Sequence, residues 1–169
     1  MLKKHLTLLL ISLFLTSCIG YKKVAFDDNN EPILTEKMKY KITQIPNEKD
    51  LTKIDTSAYY VQVFEGRYYN DNEKENPMVL IFHNDGYFKK TSILYDSIFE
   101  YRNKNSAFYG GKYRITENKI ELEGFYPSHG GKTNYYVRLK TIGNIEGDRI
   151  IIYDKQHIQT IYEKKYTMK

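Results

Sequence analysis

This chain of 169 residues carries one cysteine, Cys18, and four histidines. A thiolate can attack an electrophile, bind a metal or enter a disulfide. A lone thiol cannot pair within its own chain, and no two of His83, His129 and His157 stand at metal-ligand spacing. No serine lies in a G-x-S-x-G elbow, and neither a phosphate-binding loop nor a dinucleotide fingerprint occurs. Glu121 and Glu123 fall two apart on one strand, which puts their carboxylates on the same side about 7 Å apart. Such a pair could do acid–base work. Its alternation with Ile120 and Leu122 makes it the solvent face of a hairpin instead. The chemistry-bearing residues therefore point away from an enzyme and from any metal or cofactor.

What Cys18 does is set by the residues before it. Lys3 and Lys4 form a positive start, and Leu6 to Leu15 is apolar, interrupted only by Thr7 and Ser12. Ten residues span about 15 Å as a helix, half of a roughly 30 Å hydrocarbon core. The run is a cleaved signal rather than an anchor. Leu15-Thr16-Ser17-Cys18 resembles a bacterial lipobox. The resemblance implies that Cys18 becomes the mature N-terminus, carrying thioether-linked diacylglycerol and an acylated amine, palmitate being the usual kind of chain. Each buried methylene contributes about 0.8 kcal/mol, so several chains on one residue hold permanently. A free odd thiol in an oxidising compartment would be unusual. Ile19, rather than aspartate, follows the cysteine. By resemblance to enterobacterial sorting, this implies the outer membrane of a Gram-negative cell envelope.

Of 26 Lys+Arg and 21 Asp+Glu, two lysines lie in residues 1–17, so the mature chain carries a net charge of about +3. That is a mildly basic solvated surface, not a nucleic-acid footprint. Tyrosine is frequent, at 17 residues, with no tryptophan. β-Propensity accounts for this more simply than a carbohydrate- or aromatic-binding face does.

The expected organisation is a signal over 1–17, a lipidated tether over 18–32 and a single β-barrel domain over 33–169. Asp27-Asp28-Asn29-Asn30-Glu31-Pro32 is polar and turn-prone, which suits a solvated linker. Lys37 to Ile42 alternates with period two, the pattern of a half-buried leading strand. Strands are then expected at Tyr59 to Glu65, Met78 to His83, Tyr87 to Ser92, Gly111 to Thr116, Lys119 to Tyr126, Thr133 to Ile142, Arg149 to Tyr153 and Ile158 to Tyr166. Asn84-Asp85-Gly86 is a strong hairpin signal. Gly66 to Pro77 reads as a polar loop. Leu94, Ile98 and Tyr101 suit one short helix near residues 94–102 or, equally, a covering loop. Ile115 to Leu122 and Ile145 to Ile152 share I-x-x-[ND]-[KR]-I-x-[LI]. This is one hairpin solution used twice, with Asn118 or Asp148 in the left-handed position.

The pattern is all-β: an antiparallel up-and-down meander of about eight strands, closing as a barrel or packing as a sandwich. Its G-x-Y, I-x-x-N-x-I and I-x-G-D-x-I elements, over Ser57 to Tyr166, resemble the lipocalin-like lipoproteins of Bacteroidota. The resemblance implies a small lipocalin-like β-barrel on a membrane anchor. Lipocalins proper carry G-x-W in the first strand and an arginine in the last. Here Gly66-Arg67-Tyr68 has tyrosine, and the last strand offers Lys164 and Lys165.

Two functions follow from such a domain. One is a non-catalytic docking module for an envelope protein partner, and the alternative is a binding module for a small apolar or aromatic-compatible ligand. Bulky inward residues would fill a small eight-stranded barrel, which favours docking. Tyr126, His129 and Tyr135 beside Gly130-Gly131 form a candidate binding loop. The competing reading is a wide turn whose tyrosines fill the barrel end. Asp96-Ser97-Ile98 resembles the three-residue O-glycosylation site of exported Bacteroidota proteins, which makes Ser97 a candidate acceptor.

Overall fold

The hairpin turns set the register of nearly every strand. The computed structural model describes residues 22–168 apart from 24, 29, 37, 97–101, 129–134 and 154–157. Three two-residue strands come first: β1 Lys22–Lys23, β2 Ala25–Phe26 and β3 Pro32–Ile33. Eight longer ones follow: β4 Tyr59–Val63, β5 Met78–Phe82, β6 Tyr87–Ser92, β7 Gly110–Thr116, β8 Lys119–Pro127, β9 Tyr135–Glu146, β10 Arg149–Tyr153 and β11 Gln159–Lys165. Each of β4 to β11 pairs antiparallel with its sequence neighbours, and β11 pairs back onto β4 from Ile161↔Val63 to Lys165↔Tyr59. The result is a closed, eight-stranded, antiparallel up-and-down barrel, as the alternation and turn residues predicted.

The two similar hairpins do superimpose in kind. Ile115↔Ile120 closes one and Ile145↔Ile150 the other. The left-handed residue, however, is the first of each two-residue loop: Glu117 with φ 55° and Gly147 with φ 62°. Asn118 and Asp148 do not take that role. The Asn84-Asp85-Gly86 turn behaves as expected, with Gly86 at φ 82°.

Inward side chains interlock. Phe82 is fully buried and meets the edges of Tyr60 at 5.3 Å and Tyr113 at 5.0 Å between ring centroids. Eight strands leave an interior only just wide enough for such filling. One end is plugged by residues 47–58. Asn47 and Asp50 cap a single helical turn, Glu48–Leu51, by exchanging side-chain bonds with each other's amides. Ile54 and Ala58 then enter the core at 1% exposure, and the Asp55 amide donates to the Tyr60 hydroxyl at 3.0 Å.

Several expectations are corrected. Met38 to Ile42 does alternate in burial, with Met38 at 2% and Ile42 at 5% exposure. It forms no strand, because the Lys41 and Ile42 amides bond to a side chain, Glu123, rather than to a ladder. Residues 22–33 are not a free tether. β1 pairs with β9 at Lys22↔Tyr136, β2 pairs with β3, and Glu31 bridges Arg102 at 2.8 Å. Residues 38–46 instead form a strap across the outer wall, where Tyr40 stacks edgewise on Phe125 at 5.3 Å. The 66–77 loop contains one turn of helix, Asp71–Glu75, capped by Asn70 and Glu73. A further helical turn spans Ile93–Asp96, at the start of the segment near 94–102 where one short helix or a covering loop was expected. Tyr68, set by the lipocalin resemblance in the first barrel strand, lies in the loop after β4 and points to solvent at 85% exposure.

Candidate functional site

Cys18, Ser97 and His129 lie outside the described residues. Tyr126 and Tyr135 are strand residues: Tyr126 sits in β8 opposite Val137, and Tyr135 opens β9 with its backbone opposite Lys23. The ring of Tyr126 lines the barrel interior rather than an external loop.

That interior holds a cavity of about 140 Å³. Its position follows from strand parity. Leu80 faces Lys90 across β5 and β6, while Leu122 faces Thr141 and Gly124 faces Leu139 across β8 and β9. All of these line the cavity, together with Phe88, Ile152, Thr160 and Tyr162. Leu80, Phe88, Leu122, Leu139 and Ile152 give the wall an apolar part, but polar atoms make up the larger share of its accessible surface, and they include the Lys90 ammonium, two threonine hydroxyls and two phenols. Tyr162 is 5% exposed, and burial pushes its phenol well above the usual range, so it stays neutral. The Lys90 ammonium sits 5.7 Å from the centroid of the Tyr126 ring. Its backbone amide is spent in a bond to the Tyr109 carbonyl at 2.8 Å. Among the described residues no carboxylate lies within ion-pair distance of Lys90, whereas the preceding Lys89 reaches Asp96 at 2.7 Å. Nothing in the local sequence distinguishes the two lysines except parity: one points out, the other in.

A larger opening of about 600 Å³ lies at the plugged end, between residues 51–56 and the turns at Asn118 and Gly147-Asp148. Its charged groups are already engaged. Lys164 pairs with Asp148 at 2.6 Å, and Lys53 donates to the Glu117 carbonyl. Asp55 accepts from Ser57 Oγ at 2.6 Å and from the Tyr166 hydroxyl at 3.1 Å. The Ser57 hydroxyl and amide hold the Asp55 carboxyl below its ordinary value. This opening is a seam between plug and barrel whose charged side chains are each engaged within the chain.

The two carboxylates on β8 do different work from each other. Glu121 meets Arg114 at 2.8 Å and Lys140 at 2.9 Å on the outer wall. Glu123 was expected at the solvent face, yet it is 3% exposed beneath the strap. It accepts the Lys41 and Ile42 amides at 2.8 Å each and faces Arg138 at 3.3 Å. The pair is thus divided between an exposed ion-pair cluster and a buried clasp.

His83 is likewise a joint. Its Nε2 lies 2.6 Å from the Tyr109 hydroxyl, with the rings stacked at 5.9 Å. The Tyr113 hydroxyl donates to the His83 carbonyl at 2.8 Å. Burial, then the nearby Lys104 ammonium, lowers the His83 pKa, and burial pushes Tyr109 up to about 12. No group of three or more metal-ligating side chains occurs among the described residues.

No protein-family model, curated protein or solved structure matches this chain.

Proposed function

We propose that this chain is a lipid-anchored protein of the bacterial cell envelope, held at the outer membrane through Cys18, whose barrel is a non-catalytic docking domain. The observation that carries the docking reading is the filled barrel. Drug-sized ligands occupy about 300–1,000 Å³, whereas the cavity among the inward side chains measures about 140 Å³. The opening of about 600 Å³ at the plugged end has its charged side chains engaged within the chain, which supports action through the surface. Membrane attachment rests on the lipobox and the lone cysteine.

The experiment expresses the full chain in cells, native and as Cys18→Ser, with photo-crosslinking side chains at exposed positions such as Tyr68, Leu94 and Ile142. The native protein should take up labelled fatty acid, fractionate with outer membrane and give a discrete crosslinked adduct. Normal processing of Cys18→Ser would overturn the anchor. Absence of any adduct in correctly localised protein would overturn docking.

A second reading, a small-ligand module, is favoured by one observation. The inward-facing Lys90 borders a cavity of mixed apolar and polar wall with no carboxylate partner among the described residues.

A further inference from the structure

We propose that the barrel cavity is a binding site for a small, ring-sized carboxylate, with Lys90 as its counter-ion. This deepens the ligand-module reading and rests on it. Three features converge on that class of ligand.

The first is size. A cavity of about 150 Å³ with apolar walls takes one benzene, and the interior cavity measures about 140 Å³. It has no room for an extended acyl chain. The second is the wall. Leu80, Phe88, Leu122 and Ile152 offer a ring only dispersion contacts, and the flanking Tyr126 ring adds an aromatic edge or face. The third is charge. Two lysines on this barrel occupy inward register positions, Lys90 opposite Leu80 and Lys164 opposite Tyr60. Lys164 has its own carboxylate, Asp148, at 2.6 Å. Lys90 has none among the described residues, and its ammonium meets only the Tyr126 ring, at 5.7 Å.

A cation in a cavity partly walled by hydrocarbon attracts an anion more strongly than it would in open water. The hydroxyls of Thr141 and Thr160 line the same cavity and can donate to a second carboxylate oxygen. A neutral ring would fill the volume but leave the ammonium unanswered. A short anion without a ring would pair with the ammonium but leave the hydrocarbon of Leu80, Phe88, Leu122 and Ile152 wet. A ring bearing one carboxylate meets both demands.

The test uses the full lipidated chain in lipid nanodiscs and titration calorimetry with benzoate, its neutral isostere benzamide, acetate and dodecanoate. Benzoate should bind at least tenfold more tightly than benzamide or acetate, and dodecanoate should not compete with it. Lys90→Met should erase the preference for benzoate over benzamide, and Lys90→Arg should restore most of it. Both variants should keep the native melting temperature. Leu139→Trp, which fills the cavity from β9, should abolish benzoate binding. Equal affinity for benzoate and benzamide, tighter binding of dodecanoate, or no benzoate binding by correctly folded protein would each overturn the proposal, the last meaning that the cavity holds water alone. Docking is read separately, by crosslinks in cells, so either reading can fail without the other.

Discussion

The Glu123 carboxylate, on the outer wall of the barrel, accepts the backbone amide of Ile42 at 2.8 Å across 81 residues of sequence. The second amide, from Lys41, and the Arg138 guanidinium complete its set of partners. One side chain thereby does for the strap what a strand ladder would otherwise do, and Arg138 reinforces it by donating to the Lys39 carbonyl at 3.1 Å. Glu123→Ala would leave the Lys41 and Ile42 amides without their acceptor beneath the strap. Leaving buried groups unpaired costs about 1–3 kcal/mol each, so Glu123→Ala should lose about 2 kcal/mol or more in urea unfolding. Glu123→Gln, which keeps one acceptor oxygen, should lose less. Equal stability of all three proteins would mean that the strap is held by its apolar residues alone.

Gly111 marks where β8 runs closest to β7. A Cβ built there lies 1.9 Å from the Glu123 carbonyl oxygen, a backbone atom that cannot yield. Gly111→Ala should therefore prevent folding or cost several kcal/mol, comparable with severe core substitutions. Gly86 is a milder case, with φ 82° and the nearest atom, Pro46 Cδ, at 3.2 Å. Gly86→Val should cost about 1–2 kcal/mol through its left-handed backbone. A thermal melt of the two variants checks the order, and the prediction fails if Gly86→Val proves the more damaging.

Glu117 is the converse, a side chain in a place suited to glycine. Its φ of 55° carries a steric cost of about 1–2 kcal/mol for an L-residue. Glu117→Gly should relieve it and raise stability by about 0.5–1 kcal/mol after the entropy of the freer unfolded chain is deducted. Chemical denaturation would show a higher midpoint at unchanged slope, and a lower midpoint would refute the turn assignment.

Acidification should loosen the joint between residues 102–109 and the β5–β6 hairpin. The folded His83 pKa lies below its ordinary value of 6.5, so the unfolded chain binds that proton first. The stabilisation is complete above 6.5 and declines as pH falls towards the lowered folded value. The stability of the native protein should therefore drop more steeply between pH 7 and 5 than that of His83→Gln. Parallel pH profiles for the two would remove His83 as the cause.

The turns and strands were legible because their determinants are local. Tyr87 to Ser92 and Arg149 to Tyr153 appear with the bounds their alternation and flanking turns indicated. The Ile115 and Ile145 motifs do close equivalent hairpins. In each, a two-residue loop sets the register, and register sets which side chains face in. The capping pairs Asn47–Asp50 and Asn70–Glu73 were also written locally and could have been recognised from their spacing.

Other features depended on residues far apart meeting in space. Period two at Met38 to Ile42 specified a buried face, but only the folded barrel could show that a glutamate 82 residues from Lys41, rather than a neighbouring strand, receives the amides. The same holds for the candidate site. Tyr126 stood out as an aromatic beside a glycine loop, whereas Lys90 was one lysine of a Lys-Lys pair. Closing the sheet turned one of that pair towards Asp96 and the other towards Leu80, Leu122 and Ile152. Local pattern determines the strands and their faces. The cavity and the clasp arise only in the folded chain, because each joins groups from segments far apart in the sequence.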